Sequence, residues 1–479
     1  MTSAQSETGR SVRGVDPFPL VALALFVIIL IWLLYPVLWT FALASRSYNE
    51  GWNAFIALRA MGDLPLYPQD QTLHTNNYPP LSFYIVGGLG WLVGDNIFAG
   101  RIVSLISTVV IAGEVAAIVR LLDAGWPAAV LAVLVFLGGL IDLASLYIGL
   151  NDPQMLGHAV MLTGLIALLR RPGAAAHLVV AAVLMVLAGL IKHNLLALPL
   201  AVTAWLFLTD RRGLLVWLLA AGAAVACALL GLWLVYGPAV FDNIVSARSY
   251  SLGAMILTVK QALDRLQTPL VGALLLVMAR PGTPANQFVA LYGACSIVIA
   301  ALFAGGAGVW HSLFFDLLIA LSLASGLLLQ QANQIAPSYR PEMVRAVVAA
   351  AYLVGIALSL PKDPLKLAQI HAAEVATRAD VAFLARLEGR VLCESLALCY
   401  WAGKDLEVDT FNAWQGFLAR GHDEQTLLDL LASQGFAAVQ LTNRHDEWFS
   451  PAFMDSLHRH YRLVRTSPNG GFFLPASVR

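Results

Sequence analysis

The stretch Leu20–Asn53, LVALALFVIILIWLLYPVLWTFALASRSYNEGWN, decides how this chain is read. Leu20 to Leu43 is apolar for longer than the ~20 residues needed to cross a ~30 Å hydrocarbon layer, and a polar segment follows at once. That order predicts a membrane span that delivers Tyr48-Asn49-Glu50-Gly51-Trp52-Asn53 to the water at one face. Glu50 then opens an amphipathic run through Trp52, Phe55, Ile56 and Arg59. An interfacial helix with the carboxylate in its positively polarised first turn is expected. The same position also suits a carboxylate that only caps the helix.

The rest of the chain repeats the theme. Of 479 residues, 59% are hydrophobic and 12% charged, about half the charge of an average soluble protein. Breakers and charges divide the apolar part into eleven expected spans, near 20–44, 98–122, 127–148, 153–169, 175–191, 195–209, 213–236, 266–279, 284–304, 309–330 and 344–360. Pro79 to Gly94 is apolar but broken by Pro79-Pro80, Gly87-Gly88 and Gly90, and reads as lying along the interface. With that choice Arg10, Arg13, Arg120, Arg170, Arg171, Arg211, Arg212, Arg280, Arg340 and Arg345 share the cytoplasmic side, as the excess of cations on cytoplasmic loops requires. An odd number of spans then puts the C-terminal part outside the cytoplasm. The first span reads as a retained anchor rather than a cleaved leader.

Residues 362–479 hold 26 of the 58 charged side chains, so they read as a separate water-facing domain. Strands are expected at Arg390–Cys393, Leu406–Val408 and Phe436–Leu441, and a helix at Glu424–Ser433, which together suggest a small α/β fold. Cys393 and Cys399 can meet only if the chain turns between them, because six residues of helix would hold them too far apart. The expected organisation is a cytoplasmic tail (1–17), an all-α polytopic membrane bundle (18–361) with a large outer loop (45–97), and an extracytoplasmic α/β domain (362–479).

Under this topology the unusual polar residues gather on one face. Asn151-Asp152-Pro153 sits where one span ends and the next begins, so Asp152 could cap a helix or act in proton transfer. Lys192-His193-Asn194 interrupts an apolar run from Leu178 to Leu208, which suits an anionic head group or a snorkelling lysine. Asn77-Tyr78-Pro79-Pro80 fixes an extended entry into the next segment, and Arg248 lies in the long loop 237–265, where it could clamp a phosphate or simply face water. His311 opens a span that carries Asp316, an ionisable group inside the bilayer and therefore a functional candidate or a partner for His311. Phosphate-binding loops of the Lys-Ser/Thr type, His-Glu-x-x-His and paired-cysteine metal motifs do not occur.

The segments Tyr48-Asn49-Glu50-Gly51-Trp52-Asn53-Ala54, Leu66-Tyr67-Pro68, Asn77-Tyr78-Pro79-Pro80 and Arg101-Ile102-Val103-Ser104 resemble the membrane-embedded glycosyltransferases of the GT-C class. Within it the chain is most similar to the bacterial branch related to protein O-mannosyltransferases and the lipid A aminoarabinose transferase. Asp152 matches the second outer-loop acid of that class, Leu190-Ile191-Lys192 its lysine-bearing helix junction, and Gly306 to Leu313 its late outer loop, with His311 where an asparagine is expected. The tail from Val391-Leu392 through Gly403-Lys404 to Val439 resembles its extracytoplasmic domain. Many members carry two adjacent acids where this chain has Asn49-Glu50.

The resemblance implies an inverting transfer of a sugar from a polyprenyl-phosphate carrier to a lipid, glycan or protein acceptor at the outer face of a bacterial cytoplasmic membrane. Glu50 would be the general base, with Asp152 assisting or joining it around a divalent ion. Lys192, His193 and Arg248 would bind the donor phosphate, and Asn53, Tyr78, His311 and Asp316 the substrate. A transporter of an anionic or lipid-linked substrate, and an inactive assembly protein on the same fold, are the competing readings.

Overall fold

The structure, a computed structural model, describes residues 16–361, 366–442 and 448–477. Arg10, Arg13 and nearly all of the expected tail lie outside the described residues. The apolar part folds as α1 (Phe18–Thr40), α2 (Tyr48–Ala60), α3 (Leu81–Val93), α4 (Asn96–Leu121), α5 (Trp126–Ala144), α6 (Gln154–Arg170), α7 (Ala175–Ile191), α8 (Ala197–Thr209), α9 (Arg211–Tyr236), α10 (Ala239–Ile244), α11 (Leu252–Arg265), α12 (Gln267–Ala279), α13 (Pro284–Ala304), α14 (Phe315–Ile335) and α15 (Pro341–Ser359). Each of the eleven expected spans is met by one of these helices.

Among the described residues, seven helices are long and apolar enough to cross a membrane unaided, or eight if α11 and α12, bent by 78° at their junction, act as one. The shorter apolar helices α3, α6, α7 and α8 pack among them. Pro80 opens α3, and Gly94, at φ +83°, ends it. The long loop expected at 237–265 is largely helical instead, because α10 and α11 occupy it.

α14 is the axis of the bundle. It is buried on every side by α5, α12 and α13, while α1, α9 and α15 are apolar but mostly uncovered. A helix that is apolar all round and uncovered suits contact with lipid tails.

The C-terminal part follows as α16 (Leu367–Ala385), β1 (Val391–Cys393), α17 (Leu396–Trp401), α18 (Thr410–Ala419), α19 (Gln425–Ala432), β2 (Ala438–Leu441), α20 (Pro451–His460), β3 (Tyr461–Ser467) and β4 (Gly470–Pro475). The sheet runs β1-β2-β4-β3, with β1 and β2 parallel and the other pairs antiparallel. Cys393 and Cys399 are joined by a disulfide across the turn from β1 into α17. The strand expected at Leu406–Val408 does not form. Its backbone pairs with the outer loop instead: His74 Nε2 donates to the Leu406 carbonyl at 2.7 Å, and the Asp409 amide donates to the Leu73 carbonyl at 2.8 Å.

Two features lock this domain onto α2. Gly51 lets α17 approach so closely that a Cβ there would lie 2.2 Å from the Ala397 nitrogen. Asp409, fully buried, caps α18 through the Asn412 amide and also accepts hydrogen bonds from the Tyr48 hydroxyl and from Trp52 Nε1.

Candidate functional site

Ser47 caps α2 by accepting from the Asn49 amide, which sets Glu50 in the first turn as its sequence suggests. The carboxylate, however, points into the protein and is fully buried. Arg101, on α4, donates through Nε to Oε1 at 2.6 Å and through Nη2 to Oε2 at 2.9 Å, while the Arg46 amide and the Ser45 hydroxyl donate to Oε2. Arg101 also binds the Ala42 and Ala44 carbonyls at 2.6 Å each, closing the turn between α1 and α2. Burial alone would raise the Glu50 pKa, but the Arg101 charge and hydrogen bonds, with help from Arg46, hold it below its usual value. The expected water-facing base is therefore a sealed anchor, because an arginine hidden in an apolar helix claims it.

The next residues of the motif are scaffold as well. Asn53 donates to the Asn49 and Asn151 carbonyls, and Asn151 returns a bond to the Glu50 carbonyl, so Asn53 is stitched between backbones instead of facing a substrate. Asn49 turns the other way and reaches Asp152 Oδ2 at 3.3 Å.

Asp152 both caps and pairs. Its Oδ1 accepts from the Gln154 amide at the start of α6 and lies 3.2 Å from Lys192 Nζ. Lys192, just past the end of α7, is buried, and its ammonium sits 4.0 Å from the centroid of the Tyr78 ring. Burial opposes its charge, yet Asp152 and Tyr78 outweigh that and raise its pKa, so the ammonium persists.

A cavity of about 320 Å³ opens in front of this group, walled by Tyr78, Lys192, His193, Arg248, Tyr147 and Trp310 among others. Arg248 donates to the Ala307 carbonyl and stacks 5.3 Å from the Phe411 ring. His193 lines the cavity and stays exposed at its edge, where partial burial and then the Lys192 and Arg248 charges drive its pKa down to about 4. Water reaching the ring softens that shift, but the imidazole is neutral at pH 7.

His311 and Asp316 are not brought to this wall. Trp310, Ser312 and Leu313 line it in place of His311. Asp316 is buried one layer deeper, where Tyr292 donates to it at 2.6 Å and His158 Nε2 lies 3.6 Å away. The polar core of the bundle, not His311, satisfies it. A divalent ion between Glu50 and Asp152 does not fit these residues either. Both Glu50 oxygens are taken by cationic or amide donors, Asp152 is paired with an ammonium, and the two carboxylates do not open onto a common cradle.

Residues 75–278 match the family described as a 6-pyruvoyl-tetrahydropterin synthase related domain and membrane protein. No curated protein matches the sequence. ArnT from Cupriavidus metallidurans bound to undecaprenyl phosphate superposes with a TM-score of 0.59 at 14% identity, over 96% of this chain and 98% of that one. Its apo form superposes at 0.60 with the same identity and coverage. The chain has the GT-C fold. The archaeal oligosaccharyltransferase AglB from Archaeoglobus fulgidus, in complex with an inhibitory peptide and a dolichol-phosphate, shares this fold at TM-score 0.55 and 12% identity, over 96% of this chain and 74% of that one. Helical bundle and C-terminal sheet domain are thus one GT-C arrangement, with the polar cavity at the bundle end that the domain covers.

Proposed function

We propose that this chain is a membrane glycosyltransferase that moves a sugar from a polyprenyl-phosphate carrier to an acceptor hydroxyl. The observation that carries the reading is the convergence of Lys192, Arg248, His193 and Tyr78 on one cavity at the mouth of a GT-C bundle. Two solved proteins of that fold hold undecaprenyl phosphate or dolichol-phosphate. Lys192 and Arg248 bind the carrier phosphate as charge develops on it, and His193 donates a neutral hydrogen bond. When Lys192 turns to the phosphate, Asp152 gives up its ammonium partner, keeps the Gln154 amide and Asn49 as donors, and is uncovered behind Asn49, which lines the cavity where the acceptor enters.

The acceptor oxygen forms a bond to the anomeric carbon as the bond from that carbon to the phosphate oxygen breaks. The electron pair leaves with polyprenyl phosphate, and the acceptor proton passes to Asp152. Glu50 has no part in the transfer other than holding α2 in place.

The site and residues 362–479 face the outside of a bacterial cytoplasmic membrane in this reading, with residues 1–17 inside and residues 18–361 forming the membrane domain. Support comes from the arginine distribution and from the Cys393–Cys399 disulfide, which suits an oxidising compartment. The test is to incubate membranes containing the protein with a panel of polyprenyl-phosphate sugars and measure released polyprenyl phosphate. Release above membranes lacking the protein is expected, and no turnover with any donor overturns the proposal.

A further inference from the structure

A second cavity, of about 440 Å³, lies between the start of α2 and the C-terminal domain. It adjoins the phosphate cavity, because Asn49, Gly308 and Trp310 line both. Its size falls in the ~300–1,000 Å³ range of small-ligand sites. One wall is aromatic. Tyr48, Phe411 and Trp448 meet edge to face, with centroids 5.1 to 6.2 Å apart, and Trp310 at the boundary is 54% exposed. Hydroxyls and an amide also line it, among them Ser47, Ser395, Thr377 and Asn469, the last donating to Asp380 and to the Thr377 hydroxyl.

Among the described residues, the charges that line it are Arg46 and Glu394, and both are engaged. Arg46 sits 5.9 Å from the Trp39 centroid and reaches the Ser145 and Ile148 carbonyls, and Glu394 accepts from the Thr442 amide and hydroxyl at 2.6 Å each. A phosphorylated acceptor would call for several uncommitted cations here, and a lipid tail for an unbroken apolar groove. A saccharide needs what is present: a flat aromatic face for the C–H side of its ring, and donors and acceptors around the edge for its hydroxyls.

We propose that this cavity seats the acceptor, and that the part it seats is a neutral saccharide. The proposal rests on the transferase reading for the word acceptor, but the saccharide site itself stands on the walls alone. The bound sugar would present one hydroxyl past Asn49 to the phosphate cavity.

The test uses the full chain in detergent micelles. Saturation-transfer NMR is recorded with neutral trisaccharides of glucose, mannose and arabinose, with glucose 6-phosphate and a neutral tripeptide as comparators, and polyprenyl phosphate release is followed in the same preparation. Expected is transfer to at least one trisaccharide, an affinity at least tenfold weaker in Trp448→Ala, and recovery in Trp448→Phe, which keeps a ring. The proposal is overturned if no trisaccharide binds, if Trp448→Ala binds it unchanged, or if only a comparator binds. Donor release without saccharide binding defeats this inference alone. Saccharide binding without release from any donor defeats the transferase reading and leaves the saccharide site standing.

Discussion

Arg101 and Glu50 form a two-pronged ion pair from which water is excluded, with Arg101 2% and Glu50 0% exposed. The pair joins α4 to α2, and through the Ala42 and Ala44 carbonyls it also fixes the end of the first span. Removing one partner strands the other charge in a dry interior, which costs about 3–5 kcal/mol. Glu50→Gln is therefore expected to lower the thermal stability of the purified protein and its yield in membranes. Its residual transfer rate per folded molecule should stay close to the parent's. A Glu50→Gln protein as stable as the parent but devoid of polyprenyl phosphate release would restore Glu50 as the base.

The same pair sets a pH dependence. The folded Glu50 carboxyl releases its proton more readily than the unfolded one, whose pKa is ~4.3. Its stabilisation is complete above that value and is lost as the pH falls through the lower folded value. Thermal unfolding followed from pH 8 to pH 3 should show a steep loss of stability below about pH 4 that is absent from the Glu50→Gln variant. Equal slopes in the two proteins would mean that the pair does not carry it.

The bundle and part of the candidate cavity's lining were legible because each depends on breaks in a strong pattern. Eleven apolar stretches predict eleven helices, of which the longer ones can cross a membrane unaided, and Lys192, Tyr78 and Arg248 stood out as polar groups between them. The burial of Glu50 was not legible because its partner is 51 residues away inside an apolar helix. Arg101, near the apolar start of that helix, was the available signal, since such a charge requires a counter-ion. Asp409, which ties Tyr48 and Trp52 to the C-terminal domain, gave no signal at all. Its partners lie more than 350 residues away and share no spacing with it. The same holds for Phe411 and Trp448, whose rings matter only once the domain is docked.

In the proposed transfer, Lys192 supplies the charge that meets the leaving phosphate. Lys192→Met is expected to cut polyprenyl phosphate release by about 10²–10³-fold, the usual loss when a preorganised electrostatic group is removed from a reacting site. Lys192→Arg should keep a measurable part of the rate. Release measured at saturating donor for both variants decides the matter, and an unchanged rate in Lys192→Met would remove this residue from the donor site.

His193 stands exposed at the cavity, where partial burial and the Lys192 and Arg248 charges push its pKa down, toward about 4, with solvent at the ring softening the shift. Between that value and the unfolded ~6.5 the unfolded chain takes up the extra proton, so this group contributes stability that falls as pH drops through that window. For catalysis the consequence is the reverse of a histidine switch. The rate profile of transfer from pH 6 to pH 8 should have the same shape in the parent and in His193→Gln, with the variant slower by about fivefold for one lost neutral hydrogen bond. A rate step near pH 6.5 that disappears in His193→Gln would show that the imidazole titrates during turnover.

Gly51 controls whether the C-terminal domain can seat at all. A methyl group there would lie 2.2 Å from the Ala397 nitrogen and 2.4 Å from the Leu396 carbonyl carbon, and these are backbone atoms of α17 that cannot swing aside. Gly51→Ala should therefore push α17 away from α2 at a cost of about 1–3 kcal/mol or more. It would also pull Asp409 from Tyr48 and Trp52 and open the aromatic wall that their contact maintains. Limited proteolysis in micelles is expected to release the C-terminal domain from Gly51→Ala while the helical bundle stays intact. A digestion pattern identical to the parent's would mean that the two backbones do not approach this closely.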